Sequence, residues 1–221
     1  ELPPVSFDYK GIWLPLYKET LEKRASFLAE VPFSDMAVYK AILERTPTPY
    51  HIQISNSAPI RYAQLFPCKA GLQVYCNRGT SGIDGSISTA IGASVVQSLP
   101  TLLITGDLSF FYNSNALWCN YIPKNFKIIV INNAGGGIFR ILPTDKGTPF
   151  FETFQETTHS LTAEHLCTMY GLTYLCAQSK EELTEALEIL FSKDKSPMLL
   201  EVFTPRELND TILKDYFQAL L

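Results

Sequence analysis

Short apolar runs alternate with helix-length segments along most of the chain. The runs rich in β-branched residues predict six strands, at 51–55, 73–77, 101–105, 127–131, 173–177 and 198–203. Helices are predicted between and after them, at 57–66, 82–97, 110–120, 162–170, 180–192 and 206–220. Strands that alternate with helices build βαβ units. The pattern therefore predicts a doubly wound α/β fold, with helices on both faces of a mainly parallel six-stranded sheet.

Two of the predicted strands contain runs that are apolar throughout, at 102–104 and 128–131. Such continuous runs are typical of central strands that are buried on both faces. In open α/β sheets, ligands bind outside the carboxyl ends of the strands. The residues that follow each strand are therefore where we expect the chemistry.

The chain opens with two further predicted helices. An amphipathic helix is predicted at 10–29, and a second helix at 35–46 has Ser34 as its N-cap. Ser179, with Glu182 three residues later, forms a capping box for the helix at 180–192.

The start of the chain has the composition of a linker. Pro3 and Pro4 stand near the first residue, and runs of this kind often lead out of a preceding domain. We therefore expect residues 1–46 to be a linker and helices that lead from an upstream domain. Residues 47–221 would then form the ligand-binding domain.

Composition and charge exclude some functions. The 221 residues are 46% hydrophobic and 18% charged, with a net charge of −4. A nucleic-acid-binding surface needs a clustered basic excess, which this chain lacks. We find no run long enough to span a bilayer and no secretory signal. The cysteines form no CxxC pair, so we expect buried thiols in a reducing cytoplasm rather than zinc or disulfides. They are Cys68, Cys76, Cys119, Cys167 and Cys176.

Four consecutive strand ends are rich in Gly, Asn, Asp, Ser or Arg. Gly-rich turns that open into helices can hold a phosphate with backbone N–H groups. The four segments are Asn56-Ser57 with Arg61 in the next helix, residues 77–85, residues 106–109 and residues 132–137.

The third and fourth of these loops predict a metal site. Asp107 offers a carboxylate oxygen and Asn133 offers an amide oxygen, and a nearby glycine carbonyl can add a third ligand. Magnesium takes oxygen ligands and commonly shares them with a diphosphate. Each motif alone is usually an ordinary turn, but the pair on neighbouring strand ends is more specific.

Several of these residues also have a purely structural interpretation. Ser81 and Asp84 are common turn and cap residues. Arg61 and Arg78 are of a type that is usually a solvated surface charge. The histidines follow no metal-ligand or triad pattern, and we interpret them as structural. They are His51, His159 and His165.

The sequence Gly106-Asp107, followed after a helix and a strand by Asn132-Asn133, resembles the signature of thiamine-diphosphate enzymes. Within that family, three stretches are similar to the 2-succinyl-5-enolpyruvyl-6-hydroxy-3-cyclohexene-1-carboxylate (SEPHCHC) synthases of menaquinone biosynthesis. They are NRGTSGIDGSISTA at 77–90, GDLS at 106–109 and NNAGGGIFRILP at 132–143. The similarity covers nearly the whole chain, but only the last part of such an enzyme. It implies the thiamine-diphosphate-binding fold.

The resemblance implies a role for each cofactor-binding residue. Magnesium, or manganese in its place, would be held by Asp107, Asn133 and the Gly135 carbonyl. Ile83 would press under the bound thiamine diphosphate and keep it bent. The remaining cofactor-lining residues would be Ser81, Gly106, Leu108 and Ser109. Many relatives have a glycine where this chain has Leu108, a departure that the SEPHCHC branch shares.

The resemblance also implies the reaction. A synthase of this family is a transferase that decarboxylates 2-oxoglutarate and joins the remaining carbanion to isochorismate. Ser57, Arg61 and Arg78 would face these substrates, and the arginines would hold carboxylates through paired hydrogen bonds. Ile138 and Phe139 would form an apolar wall at the reacting carbon.

The resemblance further implies that the chain is incomplete as a catalyst. In the family, a glutamate from another domain, on a partner subunit, activates the cofactor. We therefore expect this chain alone to be inactive, and the enzyme to be a homo-oligomer.

Two other functions remain open. The first is another thiamine-diphosphate enzyme, such as a 2-oxoacid decarboxylase or an acetolactate synthase. The second is a non-catalytic nucleotide-binding module, although the first strand is not followed by G-x-G-x-x-G.

Overall fold

The computed structural model describes residues 7–192 and 196–221. The Pro-rich opening at Pro3 and Pro4 lies outside these residues. All six predicted strands are present and form one sheet in the order β2-β1-β3-β4-β6-β5, with every neighbouring pair parallel. The predicted fold class is therefore confirmed. The strands are Tyr50–Ile54 (β1), Leu72–Cys76 (β2), Thr101–Gly106 (β3), Phe126–Asn132 (β4), Thr173–Ala177 (β5) and Met198–Phe203 (β6).

Helices surround the sheet, and each predicted helix has a counterpart. The α-helices are Tyr9–Glu30 (α1), Asp35–Arg45 (α2), Ala58–Ala63 (α3), Ser86–Val96 (α4), Asp107–Tyr112 (α5), Ile138–Ile141 (α6), Glu164–Tyr170 (α7), Lys180–Ser192 (α8) and Asn209–Leu220 (α9). The helix predicted at 110–120 is divided into α5 and a 3₁₀ turn at Ser114–Trp118. The sequence pattern did not predict α6 or the π-helix at Phe151–Glu156.

The sheet separates two hydrophobic cores. Leu102 and Ile104 of β3 point into the core formed with α2, α3, α8 and α9. Leu103 points into the core formed with α4, α5 and α7. The side chains of residues 128–131 alternate between the two cores in the same way. The prediction that these apolar runs are central strands buried on both faces is therefore confirmed.

The two predicted helix caps are present. The Ser34 hydroxyl accepts a long hydrogen bond of 3.5 Å from the Ala37 N–H. The Ser179 hydroxyl accepts from the Glu182 N–H at 3.1 Å. The Glu182 carboxylate accepts from Gln178 rather than from Ser179, so the capping box is displaced by one residue.

Helix α2 belongs to the same hydrophobic core as β1. Tyr39 is buried and stacks on Tyr62 of α3, with ring centroids 5.4 Å apart. This packing places Asp35, the first residue of α2, among the strand-end loops.

The amphipathic interpretation of the first helix was wrong for its first half. Leu28 is the only residue of α1 that is buried among the described residues, and Phe27 packs edge-on against Tyr216 of α9. Before Pro15, apolar side chains such as Trp13 are exposed. They occur at successive positions, so they surround the helix and do not form one buried stripe. None of the helices in the described ranges is long and apolar enough to cross a membrane.

The expectation that the cysteines are buried was correct only for Cys167. Burial raises the pKa of the Cys167 thiol to about 12. Cys68 and Cys176 are exposed, because Cys68 lies in a loop and Cys176 lies on β5 at the edge of the sheet. All five cysteines are free thiols.

Candidate functional site

The chain reverses its direction of travel across the sheet next to β1. It leaves β1 for β2 on one side and then returns to β3 on the other. Such a switch point opens a crevice at the carboxyl ends of the strands. Here the loops after β1, β2, β3 and β4 surround a cavity of about 460 Å³.

Every site residue suggested by the sequence lines this cavity. They are Ser57, Arg61, Arg78, Ser81, Ile83, Gly106, Asp107, Leu108, Ser109, Asn133, Gly135, Ile138 and Phe139. The structure thus brings together four loops that are far apart in sequence. The individual roles of these residues stay predictions.

Asp107 ties the third loop to the fourth at the bottom of the cavity. Its side chain is buried, and Oδ1 accepts from the Leu108 N–H at 2.7 Å. Oδ2 accepts from the Gly135 N–H at 2.9 Å. Both loops therefore have a fixed position relative to one carboxylate.

His159 lies beside Asp107, which the sequence pattern did not suggest. Its Nε2 is 3.2 Å from Asp107 Oδ2. Its Nδ1 accepts a hydrogen bond from the Leu161 N–H, so in the neutral ring Nε2 carries the proton. The Nε2 N–H lies beside the carboxylate but forms no hydrogen bond within the described residues.

The side-chain amide of Asn133 forms a hydrogen bond through its nitrogen but none through its oxygen. Its Nδ2 donates to Asp35 Oδ2 at 3.0 Å. Its Oδ1 is buried without a hydrogen-bond partner. Buried acceptors without partners are rare in folded proteins, and binding of an ion is one physical reason for a protein to keep one.

Asp35 is a site residue that sequence reasoning missed. Its carboxylate is buried and accepts from the Thr204 hydroxyl at 2.6 Å as well as from Asn133. Its backbone N–H donates to Asn209 Oδ1 at 2.8 Å. Burial raises the pKa of Asp35 to about 6, although the hydrogen bonds from Thr204 and Asn133 lower it; the nearby Asp107 carboxylate adds to the rise.

The bottom of the cavity fits a divalent cation. Two buried carboxylates, Asp35 and Asp107, lie near an amide oxygen without a partner, and hard cations select such oxygens. In the described ranges no three His, Cys, Asp or Glu side chains cluster as a metal site. A metal here would therefore need a mixed set of carboxylate, amide and backbone oxygens, such as Asp107, Asn133 and the Gly135 carbonyl.

Gly135 is required by the backbone at this point. Its φ of 152° is one that L side chains rarely adopt, and an added Cβ would lie 2.8 Å from the Glu156 carbonyl oxygen. A glycine lets the loop approach the 151–156 segment closely.

Hydrogen bonds hold the second loop in shape. Arg78 Nη1 donates to Ser81 Oγ at 2.6 Å, and Asn56 Nδ2 donates to the Ser81 carbonyl at 2.5 Å. The Ser109 hydroxyl donates to the Ile83 carbonyl. Ile83 is thereby supported from the α5 side and lies against the cavity.

Two arginines give the mouth of the cavity a positive charge. Arg61 and Arg78 are exposed there, and within the part of the chain that the structure describes neither forms a salt bridge with a carboxylate. Guanidinium groups that are free in this way suit anionic ligands.

The apolar wall is held by an ion-pair cluster behind it. Ile138 and Phe139 belong to α6, and the next residue is Arg140. Arg140 forms two hydrogen bonds with the fully buried Glu156, one of them from Nη2 at 2.8 Å. Arg206 Nη1 also donates to Glu156, at 3.2 Å. The sequence did not suggest this cluster.

The cavity and its fold define a cofactor-binding domain of a known class. The chain belongs to the family described as the thiamine pyrophosphate enzyme C-terminal TPP binding domain, whose model matches residues 57–202. That range contains the four loops except for Asn56.

Curated relatives that align over most of the chain are named 2-succinyl-5-enolpyruvyl-6-hydroxy-3-cyclohexene-1-carboxylate synthase, as the motifs predicted. The chain is 54% identical to the protein of Flavobacterium johnsoniae over 198 residues, which is 90% of this chain and 36% of that protein. It is 50% identical to the protein of Christiangramia forsetii over 90% of this chain and 34% of the relative. For Porphyromonas gingivalis the identity is 41%, over 98% of this chain and 38% of the relative. The chain thus spans little more than a third of the length of these relatives.

Proposed function

We propose that this chain is the C-terminal, diphosphate- and magnesium-binding domain of a SEPHCHC synthase, a transferase of menaquinone biosynthesis. The reaction would be decarboxylation of 2-oxoglutarate and addition of the resulting four-carbon unit to isochorismate. One observation carries the proposal: all the residues that the family motif assigns converge on one cavity, whose buried end presents Asp107 and the unpartnered Asn133 Oδ1.

The buried end of the cavity would hold the metal. Asp107, Asn133 Oδ1 and the Gly135 carbonyl are the oxygens available for Mg²⁺, and Mn²⁺ takes similar ligands. Both Asp107 oxygens already accept backbone N–H groups, so this ligand needs no rearrangement to be in place. The metal would in turn bind the cofactor diphosphate, beside the N–H groups of the glycine loop.

Bound thiamine diphosphate would supply the electron sink for loss of carbon dioxide from the 2-oxoacid. The protein would hold the cofactor in the position that the reaction needs. Ile83 would support the bent cofactor from below, with Ser109 holding the Ile83 backbone. Ser81, Gly106 and Leu108 would line the remaining surface of the cofactor.

The mouth of the cavity would bind the substrates, which are carboxylates. Arg61 and Arg78 face it without carboxylate partners in the described residues, and Ser57 adds a hydroxyl. A guanidinium binds a carboxylate through two charge-assisted hydrogen bonds. Ile138 and Phe139 would exclude water where carbon dioxide leaves, and a less polar wall favours a step in which charge is lost.

The proposal includes groups outside this chain. The activating glutamate would come from another domain on a partner subunit, so we propose that the chain alone is inactive and that the complete enzyme is a homo-oligomer. The N-terminal segment at 1–46 would lead in from the upstream domains. Five free thiols are consistent with the reducing cytoplasm as its location.

The first test is an assay of the complete protein for consumption of isochorismate in the presence of 2-oxoglutarate, Mg²⁺ and thiamine diphosphate. We expect Asp107→Ala to abolish turnover, because it removes the metal ligand that also joins two loops. Asp215→Ala removes an exposed carboxylate on α9 and serves as the matched control. It should retain full activity.

Two other outcomes would assign the protein to a different functional class. Carbon dioxide release from pyruvate without isochorismate consumption would reassign it to a sister thiamine-diphosphate enzyme. A melting temperature that rises with ATP or NAD but not with Mg²⁺ and thiamine diphosphate would indicate a nucleotide-binding module.

A further inference from the structure

The amide of Asn133 can serve a cation in only one of its two orientations. Rotating the amide by 180° exchanges an oxygen for an NH₂ group of nearly the same size, so packing alone does not select between them. With the NH₂ group turned toward the cation, the site would lose a ligand and gain a repelling donor. Something must hold the oxygen on the metal side.

Asp35 meets this requirement. An ionised carboxylate only accepts hydrogen bonds, so the group of Asn133 that faces it has to be the NH₂ donor. The structure has this arrangement, with Nδ2 3.0 Å from Asp35 Oδ2. The opposite end, Oδ1, is then directed to buried space without a protein partner.

Two neighbours keep the Asp35 carboxylate in place. The Thr204 hydroxyl, just after β6, donates to Oδ1 at 2.6 Å. Asn209, at the start of α9, accepts the Asp35 N–H at 2.8 Å and donates from its Nδ2 to the Pro205 carbonyl. Asp35 is therefore held through its carboxylate by the residue after β6 and through its backbone by α9, and Thr204 leaves Oδ2 to face Asn133.

We propose that Asp35 is a positioning residue for the metal site, which selects the orientation of the Asn133 amide so that its oxygen faces the cation. The inference rests on the proposed magnesium site. It assigns to α2 a part in cofactor binding, although α2 lies outside the segment at 57–202 that matches the family model.

Mn²⁺ binding to the complete protein tests the proposal without reference to turnover. Free Mn²⁺ is measured by electron paramagnetic resonance in the presence of saturating thiamine diphosphate. Asp35→Asn should raise the Kd for Mn²⁺ by about 10- to 100-fold, the typical effect of losing a residue that orients a ligand. With Thr204 still donating to Oδ1, the new amide presents its NH₂ to Asn133 and turns the Asn133 oxygen away from the metal.

Glu44→Gln is the matched control, because it makes the same chemical change at an exposed position of the same helix. It should leave the Kd unchanged. The exchange Asp35→Asn with Asn133→Asp should restore binding to within about threefold of the wild type, since the carboxylate at 133 accepts from the amide at 35 and turns its other oxygen to the metal. The melting temperature without metal reports any general loss of folding.

The outcomes separate this inference from the magnesium site itself. If Asp107→Ala binds Mn²⁺ as tightly as the wild type, the metal site is wrong. If Asp107→Ala loses binding while Asp35→Asn keeps the wild-type Kd, only the positioning role is overturned. Should Asp35→Asn fail to fold, Thr204→Val replaces it: the freed carboxylate should weaken Mn²⁺ binding several-fold, and an unchanged Kd would reject the proposal.

Discussion

Two residues that line the cavity, and a third that lies between Asn133 and Gly135, adopt a positive-φ backbone conformation that favours glycine. Ser57, Ser81 and Ala134 have φ angles of 80°, 59° and 62°. Each such position costs about 1–3 kcal/mol and persists only where surrounding contacts hold it. Ser81, for example, is held by hydrogen bonds from Arg78 and Asn56. Their concentration at strand ends is consistent with loops shaped for a ligand.

Gly135 offers a test of this strain. Gly135→Ala should destabilise the protein by about 1–3 kcal/mol, because the new Cβ meets the Glu156 carbonyl oxygen in a conformation that alanine rarely adopts. Chemical denaturation measures the loss. Gly92→Ala in α4 is the control, since nothing lies within 4 Å of its added Cβ. It should stabilise by about 0.5–1 kcal/mol, and equal losses in both variants would contradict the role of strain.

The sequence predicted those site residues that directly follow a strand. Asp107 and Asn133 are recognisable because each comes after an apolar run, and parallel strands bring such positions to one edge. Asp35 is not recognisable in this way, because an aspartate at a helix N-terminus is common for helix stability alone. Its contact with Asn133 depends on how α2 packs, because the two residues are 98 positions apart in the chain.

At the scale of elements, the hydrophobic pattern predicted the six strands and most of the helices, and it missed α6 and the π-helix. The six strands and helices such as α8 span enough residues to show a repeat. Helix α6 has only four residues, about one turn, and the π-helix at 151–156 departs from the 3.6-residue period of an α-helix, so neither has a helical hydrophobic repeat. Both are held by long-range contacts that Glu156 makes, and these have no local sequence signal.

Glu156 is therefore the residue whose removal should most disturb these two elements. Glu156→Ala removes the buried partner of Arg140 and leaves it only the exposed Glu207 at 4.0 Å, so we expect a loss of about 3 kcal/mol in the free energy of unfolding. Glu152→Ala, in the same π-helix, is the matched control. It breaks only a half-exposed pair with Arg206 and should cost about 1 kcal/mol or less. If the two variants have the same denaturation midpoint, the ion-pair cluster does not hold this segment.

At the scale of the whole molecule, the chain supplies one side of the proposed active site. We expect residues 1–221 alone to show no consumption of isochorismate at saturating Mg²⁺ and thiamine diphosphate, because no glutamate of this chain lines the cavity in the described residues. Circular dichroism would establish that the preparation is folded. Turnover by a preparation free of longer protein would refute the expectation.

The exposed side chains of α1 also concern the whole molecule, because they lie on a part of the chain that does not pack on the sheet. Trp13 and its apolar neighbours are more than 40% exposed over the first half of the helix, although α1 is a regular helix of 22 residues. We interpret this half as the part that leads toward upstream domains, whereas α2 packs in the core of the sheet.

The loops that form the cavity are separate connections that each follow a different strand of one sheet, so they can be engineered one at a time. The sheet is stabilised by two hydrophobic cores, and no residue of segment 77–85 belongs to either of them. Arg78, an exposed residue of segment 77–85, could therefore be varied while Ser81, Ile83 and segments 106–109 and 132–137 are kept. Variants made in this way would sample new carboxylate substrates and keep the residues proposed to bind the cofactor.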